Sequence, residues 1–243
     1  MSAETQKARE AQETREIREQ KHITIMKGVV FQPEGTNYKL NSIESVAELV
    51  KIKGNKENTV IFYNDRHVGI ILNDSILDRP KDYATYTFTL SDELAAWSSL
   101  FNKYIDQRSF VNFLKRRKPE EVDHAESLMA KIQNLKIATE ILGDYQYDDN
   151  NNFTVMFKAK DKEDSITLPS VLTLQVPFFY GSNKVMSIEI EMEMVKPRNE
   201  NEKPGFKLTC LKYDLYHREA VEYEVERLQH LLPGYLVLAG FMR

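Results

Sequence analysis

The 243-residue chain has a single cysteine, Cys210, so no disulfide forms within it and nothing calls for an oxidising compartment. Cys210 falls in the apolar alternation of an expected strand, where a thiol behaves as a small core hydrophobe. No apolar run approaches the roughly eighteen residues that a membrane-spanning helix needs, and no hydrophobic signal region opens the sequence. The expectation is a cytoplasmic protein that does not enter a membrane. An excess of one charge is missing too. The 33 Lys and Arg against 37 Asp and Glu leave a net charge of -4, which argues against a duplex nucleic-acid binder with a basic face. The five histidines, His22, His67, His124, His217 and His230, match neither the i, i+4 zinc-helix pattern nor a zinc-finger spacing. There is no glycine-rich phosphate loop, dinucleotide fingerprint or nucleophile elbow. No cofactor, metal or catalytic residue is therefore expected.

What is present is enough apolar material, 42% of residues, to bury a sizeable core. A charged arm, residues 1–21, precedes a single expected domain over 22–243. In the arm, Arg9 with Glu13 and Arg15 with Glu19 stand at i, i+4 and support a solvated helix, but Ala8, Ala11 and Ile17 make a thin apolar stripe. The arm is read as frayed or disordered, with ordering by a neighbouring subunit as the alternative. Beyond it, Asn41 and Glu44 form a capping-box pattern ahead of Ile43, Val46, Ala47 and Val50 at helical spacing. Thr59 to Tyr63 and His67 to Leu72 read as a hairpin, and Tyr83 to Leu90 as a further strand.

The middle of the chain reads as helical. Ser91 is the expected N-cap of a helix whose apolar stripe runs Leu94, Trp97, Phe101, Tyr104 and Ile105. Phe110, Phe113 and Leu114 follow on one face, with Ser109 either capping them or continuing the helix. Aromatics at this spacing are usually core; the alternative is that Trp97, Phe101 and Phe110 form a subunit interface. Lys115, Arg116, Arg117 and Lys118 are the only dense basic run. Their place at a helix C-terminus accounts for them through the dipole, with a single-stranded nucleic-acid patch as the alternative. A second amphipathic helix is expected over Asp123 to Leu142, ending at Gly143.

The acidic, asparagine-rich stretch from Asp148 to Asn152 lacks the ligand spacing of an EF-hand and reads as a turn. Phe153 to Ala159 and Ser165 to Val176 are expected strands, with Pro169 breaking or edging the second. Val185 to Val195 and Phe206 to Tyr213 make a long hairpin. In its first strand Ile188, Ile190, Met192 and Met194 alternate with Glu189, Glu191 and Glu193. Antiparallel pairing would bring Lys207 and Lys212 near this glutamate row, which reads as a solvated face. A shared metal or proton is the sharper alternative.

The segment Gln107 to Leu114 with its Phe110 and Phe113, lying after Trp97, and the segment Leu174 to Gly181 with its Pro177 and Phe178 turn resemble the YfdQ-like family of phage and prophage proteins. So does the succeeding order of long hairpin, acidic helix (Leu215 to Leu232) and short final strand (Tyr235 to Gly240). The similarity covers about Met26 to Gly240 and departs from the family at Lys115, Arg116 and Arg117, where members are more often acidic. The resemblance implies a phage or prophage origin, action in the cytoplasm of a bacterial host and no established catalytic residues. The expected fold class is α+β, mainly antiparallel sheet with central helices and one C-terminal helix. The expected function is that of a non-enzymatic accessory protein forming a homo-oligomer. A binding protein that captures a host protein or small signalling molecule, for instance against anti-phage defence, is the second expectation, and a single-strand accessory the third.

Overall fold

The computed structural model describes residues 24–26, 29–31, 34–76, 80–135, 140–147, 152–159, 162–195 and 205–241. The charged arm and most of the acidic turn, residues 148–151, lie outside the described residues. Those described fall into two compact units, one drawn from Met1–Thr87 with Val225–Arg243 and the other from Phe88–Glu224.

In the first unit, strands β1 (Thr24–Met26) and β2 (Val29–Phe31) pair antiparallel. After β3 (Asn37–Leu40) comes helix α1 (Ile43–Lys53). Its N-cap is Ser42, one residue beyond the expected Asn41: the Ser42 hydroxyl accepts the Ser45 amide at 3.1 Å. Glu44 in the first turn and Lys51 and Lys53 in the last suit the helix dipole, and Ile43, Val46, Ala47 and Val50 are buried. The expected hairpin is β4 (Val60–Tyr63) and β5 (His67–Ile71). Asn64 sets its turn by accepting the amides of Arg66 at 2.8 Å and His67 at 3.0 Å on its side-chain oxygen. β6 (Tyr83–Thr87) lies antiparallel to β5 and parallel to β3. Ile61, Ile70 and Ala84 stand opposite one another in register and are fully buried.

The second unit opens with helix α2 (Asp92–Ser98), where Ser91 is the expected N-cap, accepting the Leu94 amide at 3.1 Å. The expected stripe is cut short. Asn102 takes a left-handed conformation (φ 58°) and Tyr104–Asp106 is strand β7, with Ile105 paired to Phe206. In a three-residue strand, one buried side chain between two more exposed ones also satisfies a helical pattern, so sheet pairing decides. Helix α3 (Gln107–Leu114) is capped by Asp106, whose carboxylate accepts the Ser109 amide at 3.0 Å, so of the two readings of Ser109 it is the continuation of the helix that holds. A 3-10 turn (Pro119–Glu121) and helix α4 (Ala125–Asn134) follow.

The helix expected to run to Leu142 therefore stops at Asn134. Ile141 and Leu142 instead belong to strand β8 (Glu140–Tyr147), opposite Phe157 and Met156 of β9 (Asn152–Ala159). Strand β10 (Lys162–Pro169) completes a three-stranded antiparallel sheet in the order β10-β9-β8. Pro169 does mark a break: Ser170 separates β10 from β11 (Val171–Pro177). With β12 (Val185–Val195) and β13 (Gly205–Thr209), β11 and β7 form an antiparallel sheet in the order β11-β12-β13-β7. Its inner face carries Leu172, Leu174, Ile188, Ile190, Met192, Phe206 and Leu208, all buried. Gly205 suits its place because a Cβ there would come within 2.7 Å of the Ile105 carbonyl oxygen, a backbone atom that cannot swing away as the exposed Tyr104 ring beside it can.

Helix α5 (Tyr213–Leu231) and strand β14 (Leu236–Ala239) close the chain. Val225, Leu228 and Leu232 are buried, and Arg227 pairs with Glu44 of α1. Gly234 (φ 83°) makes the turn into β14, which pairs parallel with β4 and completes the order β14-β4-β5-β6-β3. The fold is α+β as expected, mostly antiparallel, with central helices and a long helix near the C-terminus. Among the described residues no helix is long and apolar enough to cross a membrane.

Candidate functional site

The aromatic set does not offer a surface. Trp97 and Phe110 are fully buried inside the second unit. Trp97 meets Phe113 edge-on with ring centres 4.8 Å apart, and its indole N–H donates to Glu121 Oε2 at 3.2 Å. Phe110 packs against Phe206 at 5.3 Å, and Phe101 meets Tyr213 edge-on at 6.5 Å. The interface alternative is thus corrected for Trp97 and Phe110, which have no surface left for another chain, and the half-buried Phe101 also turns to a ring of its own unit.

The basic run is largely spent on the protein itself. It begins where α3 ends, as expected. Arg116 donates from Nε to the Asn112 carbonyl at 3.1 Å, answering one of the open carbonyls of the helix end. The Arg117 guanidinium lies 5.1 Å from the Phe113 ring centre. Lys118 Nζ meets Glu93 Oε1 at 2.9 Å, which holds the Glu93 carboxyl below its usual range and raises the Lys118 ammonium. Lys115 remains exposed beside Arg108, Asn112 and Gln133, at a shallow hollow of about 200 Å³ between α3 and α4. The Gln107 side chain, also on that rim, donates to the Ile132 carbonyl and so ties the two helices together.

The glutamate row lies on the outer face of its sheet. Glu193 stands opposite Lys207 in register, as the antiparallel pairing predicts, whereas Lys212, which meets Glu189 at 2.7 Å, lies in the turn beyond β13, because that strand ends at Thr209 and not at the expected Tyr213. Glu191 faces Val171 and Thr209 across its two neighbouring strands. Among the described residues no three His, Cys, Asp or Glu side chains gather closely enough to hold a metal ion. Cys210 lies one residue beyond β13, half-buried, and burial pushes its thiol up to about 11. At neutral pH it is held as the poorly nucleophilic thiol. Reaction with a chromogenic disulfide at pH 8 is expected to be slow in the native protein and fast in urea; equal rates would contradict the burial.

A second hollow, of about 330 Å³, belongs to the first unit, between β3, the end of α1 and the loop after β5. Lys53 Nζ donates to the Tyr38 hydroxyl at 2.5 Å and lowers the phenol's pKa. The other polar groups there bind one another. Asp82 accepts the Thr36 amide at 2.9 Å, while Asn73 donates to the Pro80 carbonyl at 2.9 Å and accepts the Asp82 amide at 2.8 Å. Lys81 Nζ donates to the carbonyls of Asn73, Asp74 and Ile76. Such bonds hold a loop in shape and supply its polar satisfaction.

The surface that sequence reasoning missed is at the C-terminus. Leu236 is 50% exposed, Leu238 40% and Phe241 74%. Among the described strands β14 is an edge of its sheet, and the stretch from Leu236 to Phe241 contains no charge and no proline. Leu236 and Leu238 stand beside Val60 and Phe62 of β4 in register, so the apolar row continues onto the half-buried outer face of the sheet. The signal was legible as an uncharged, β-prone window at the end of the chain. Compared with protein-family models, with curated proteins and with solved structures, the chain matches none.

Proposed function

We propose that this protein is a non-enzymatic accessory protein of phage or prophage origin that works as a homo-oligomer in the cytoplasm of a bacterial host. The observation that carries the self-association is the uncharged edge strand β14 with its exposed Leu236 and Leu238 and, just beyond it, Phe241. An unprotected apolar edge is avoided in proteins that stay alone, since its open amides and carbonyls accept any compatible strand. The origin rests on the resemblance of the Gln107 to Leu114 and Leu174 to Gly181 segments to the YfdQ-like family.

The single-strand alternative is less well supported, because it needs free cations close to stacking aromatics. Here Lys118 is paired with Glu93, and Arg117 lies on Phe113. Sedimentation velocity over a wide range of protein concentration tests the proposal. The mass is expected to rise above that of one 28.3 kDa chain as concentration increases. A single monomer boundary throughout would sink it.

A further inference from the structure

We infer that β14 is the contact, and that two copies of this chain join edge to edge through it, antiparallel about a two-fold axis. The inference rests on the self-association proposed above and names the surface responsible. In the parallel ladder with β4, the Gly240 amide donates to the Tyr63 carbonyl at 2.8 Å. Backbone bonding alternates along such a ladder, so Leu236, Leu238 and Gly240 turn their amides to β4 while Val237 and Ala239 turn theirs outward. Only residues with outward groups can form the hydrogen-bonded pairs of a new antiparallel ladder.

That requirement leaves registers two residues apart, of which one pairs both outward residues of β14 with the two outward residues of β14 in the second copy. Val237 lies opposite Ala239 of the second copy and Ala239 opposite its Val237, each pair exchanging both backbone bonds. Leu238 then sits on the axis, facing Leu238 of the second copy in the close, non-hydrogen-bonded position. Leu236 falls opposite Gly240, whose missing side chain leaves room for it, and Phe241 opposite Tyr235. Every apolar group on the edge thus meets an apolar group or a glycine.

A second copy is favoured over a different strand because the edge is its own complement under this operation and has no charge with which to select a foreign partner. The opposite edge of the same sheet, β3, presents exposed Asn37 and Lys39, which disfavours head-to-tail stacking of β14 on β3. A four-residue edge buries less than the roughly 1,200 Å² of a stable interface, so a weak dimer is expected.

Sedimentation of the full-length protein and of a Leu238→Lys variant tests this. The variant places like charges face to face at the axis and is expected to raise the dimer dissociation constant at least about tenfold with an unchanged melting temperature. Because the lysine could instead disturb β14, a Leu238→Cys variant in a Cys210→Ser background provides the second measurement. Mild oxidation is expected to give a disulfide-linked dimer. A native protein that self-associates, a Leu238→Lys variant of identical mass profile and a Leu238→Cys variant that never cross-links would overturn the edge assignment while leaving self-association standing. If the lysine variant melts early, the cross-link alone decides. A native protein that is monomeric at its highest soluble concentration overturns both.

Discussion

Replacing Trp97 by alanine is expected to destabilise the second unit by about 3–5 kcal/mol, the range for removing a large aromatic from a packed core. Trp97 has no exposed surface, and the lost ring leaves a cavity against Phe113. The substitution also removes a hydrogen bond from a buried carboxylate. Glu121 is only 5% exposed; its Oε2 accepts the indole N–H at 3.2 Å while Oε1 accepts the Lys118 amide at 3.1 Å. One side chain thus ties α2 to the 3-10 turn after the basic run. Trp97→Phe keeps most of the volume but not the donor, so it isolates the polar part, about 1–3 kcal/mol. Urea denaturation followed by circular dichroism is the measurement, because Trp97 is the sole tryptophan and the variants lose its fluorescence. A loss below about 1 kcal/mol for Trp97→Ala would contradict the packing described.

The Glu121 link also shows why sequence patterns reveal part of this fold and not the rest. Periodicity reports which face of an element is buried, and it did so for α1, for the β4–β5 hairpin and for β12, whose bounds Val185–Val195 agree with the expectation. Turn chemistry was legible at Ser91 and Pro169 because each acts on its immediate neighbours. Where two periodicities agree over a few residues, distant pairing decides. Ile105 continues a helical stripe on paper, yet it pairs with Phe206, about a hundred residues away; Ile141 behaves the same way opposite Phe157.

The division into units was hidden for a related reason. A unit built from both ends of the chain leaves no linker composition to mark it. The candidate surface is hard to read from the sequence because it carries no motif of chemistry. The aromatics and the basic run are conspicuous in the sequence, but Trp97 and Phe110 are core and Lys118 is paired, whereas β14 is conspicuous only through its lack of charge.

Glu224→Gln is expected to stabilise the protein at neutral and alkaline pH and to leave it unchanged in acid. Glu224 is 2% exposed on α5, and burial raises its carboxyl pKa above the ordinary value of 4.5, with a Ser182 hydrogen bond to the carboxyl opposing the shift in part. The sign follows from proton counting. Below about 4.5 the carboxyl is protonated in both states and contributes nothing to the pH dependence. Between 4.5 and the raised native value the folded protein holds the extra proton, so stability falls as pH rises through that window. Above the native value the folded state carries a buried carboxylate, and the full cost is present. Glutamine has nearly the same shape and can keep a bond to Ser182 without ionising. The difference between variant and native protein should therefore be near zero at pH 4 and grow to about 1–3 kcal/mol in favour of glutamine by pH 8, the usual cost of a buried polar group that water no longer solvates. Paired urea melts across this range read the difference directly. A gap that is constant with pH would show that Glu224 keeps its proton affinity on folding, and a gap of opposite sign that its carboxylate is stabilised by the native surroundings.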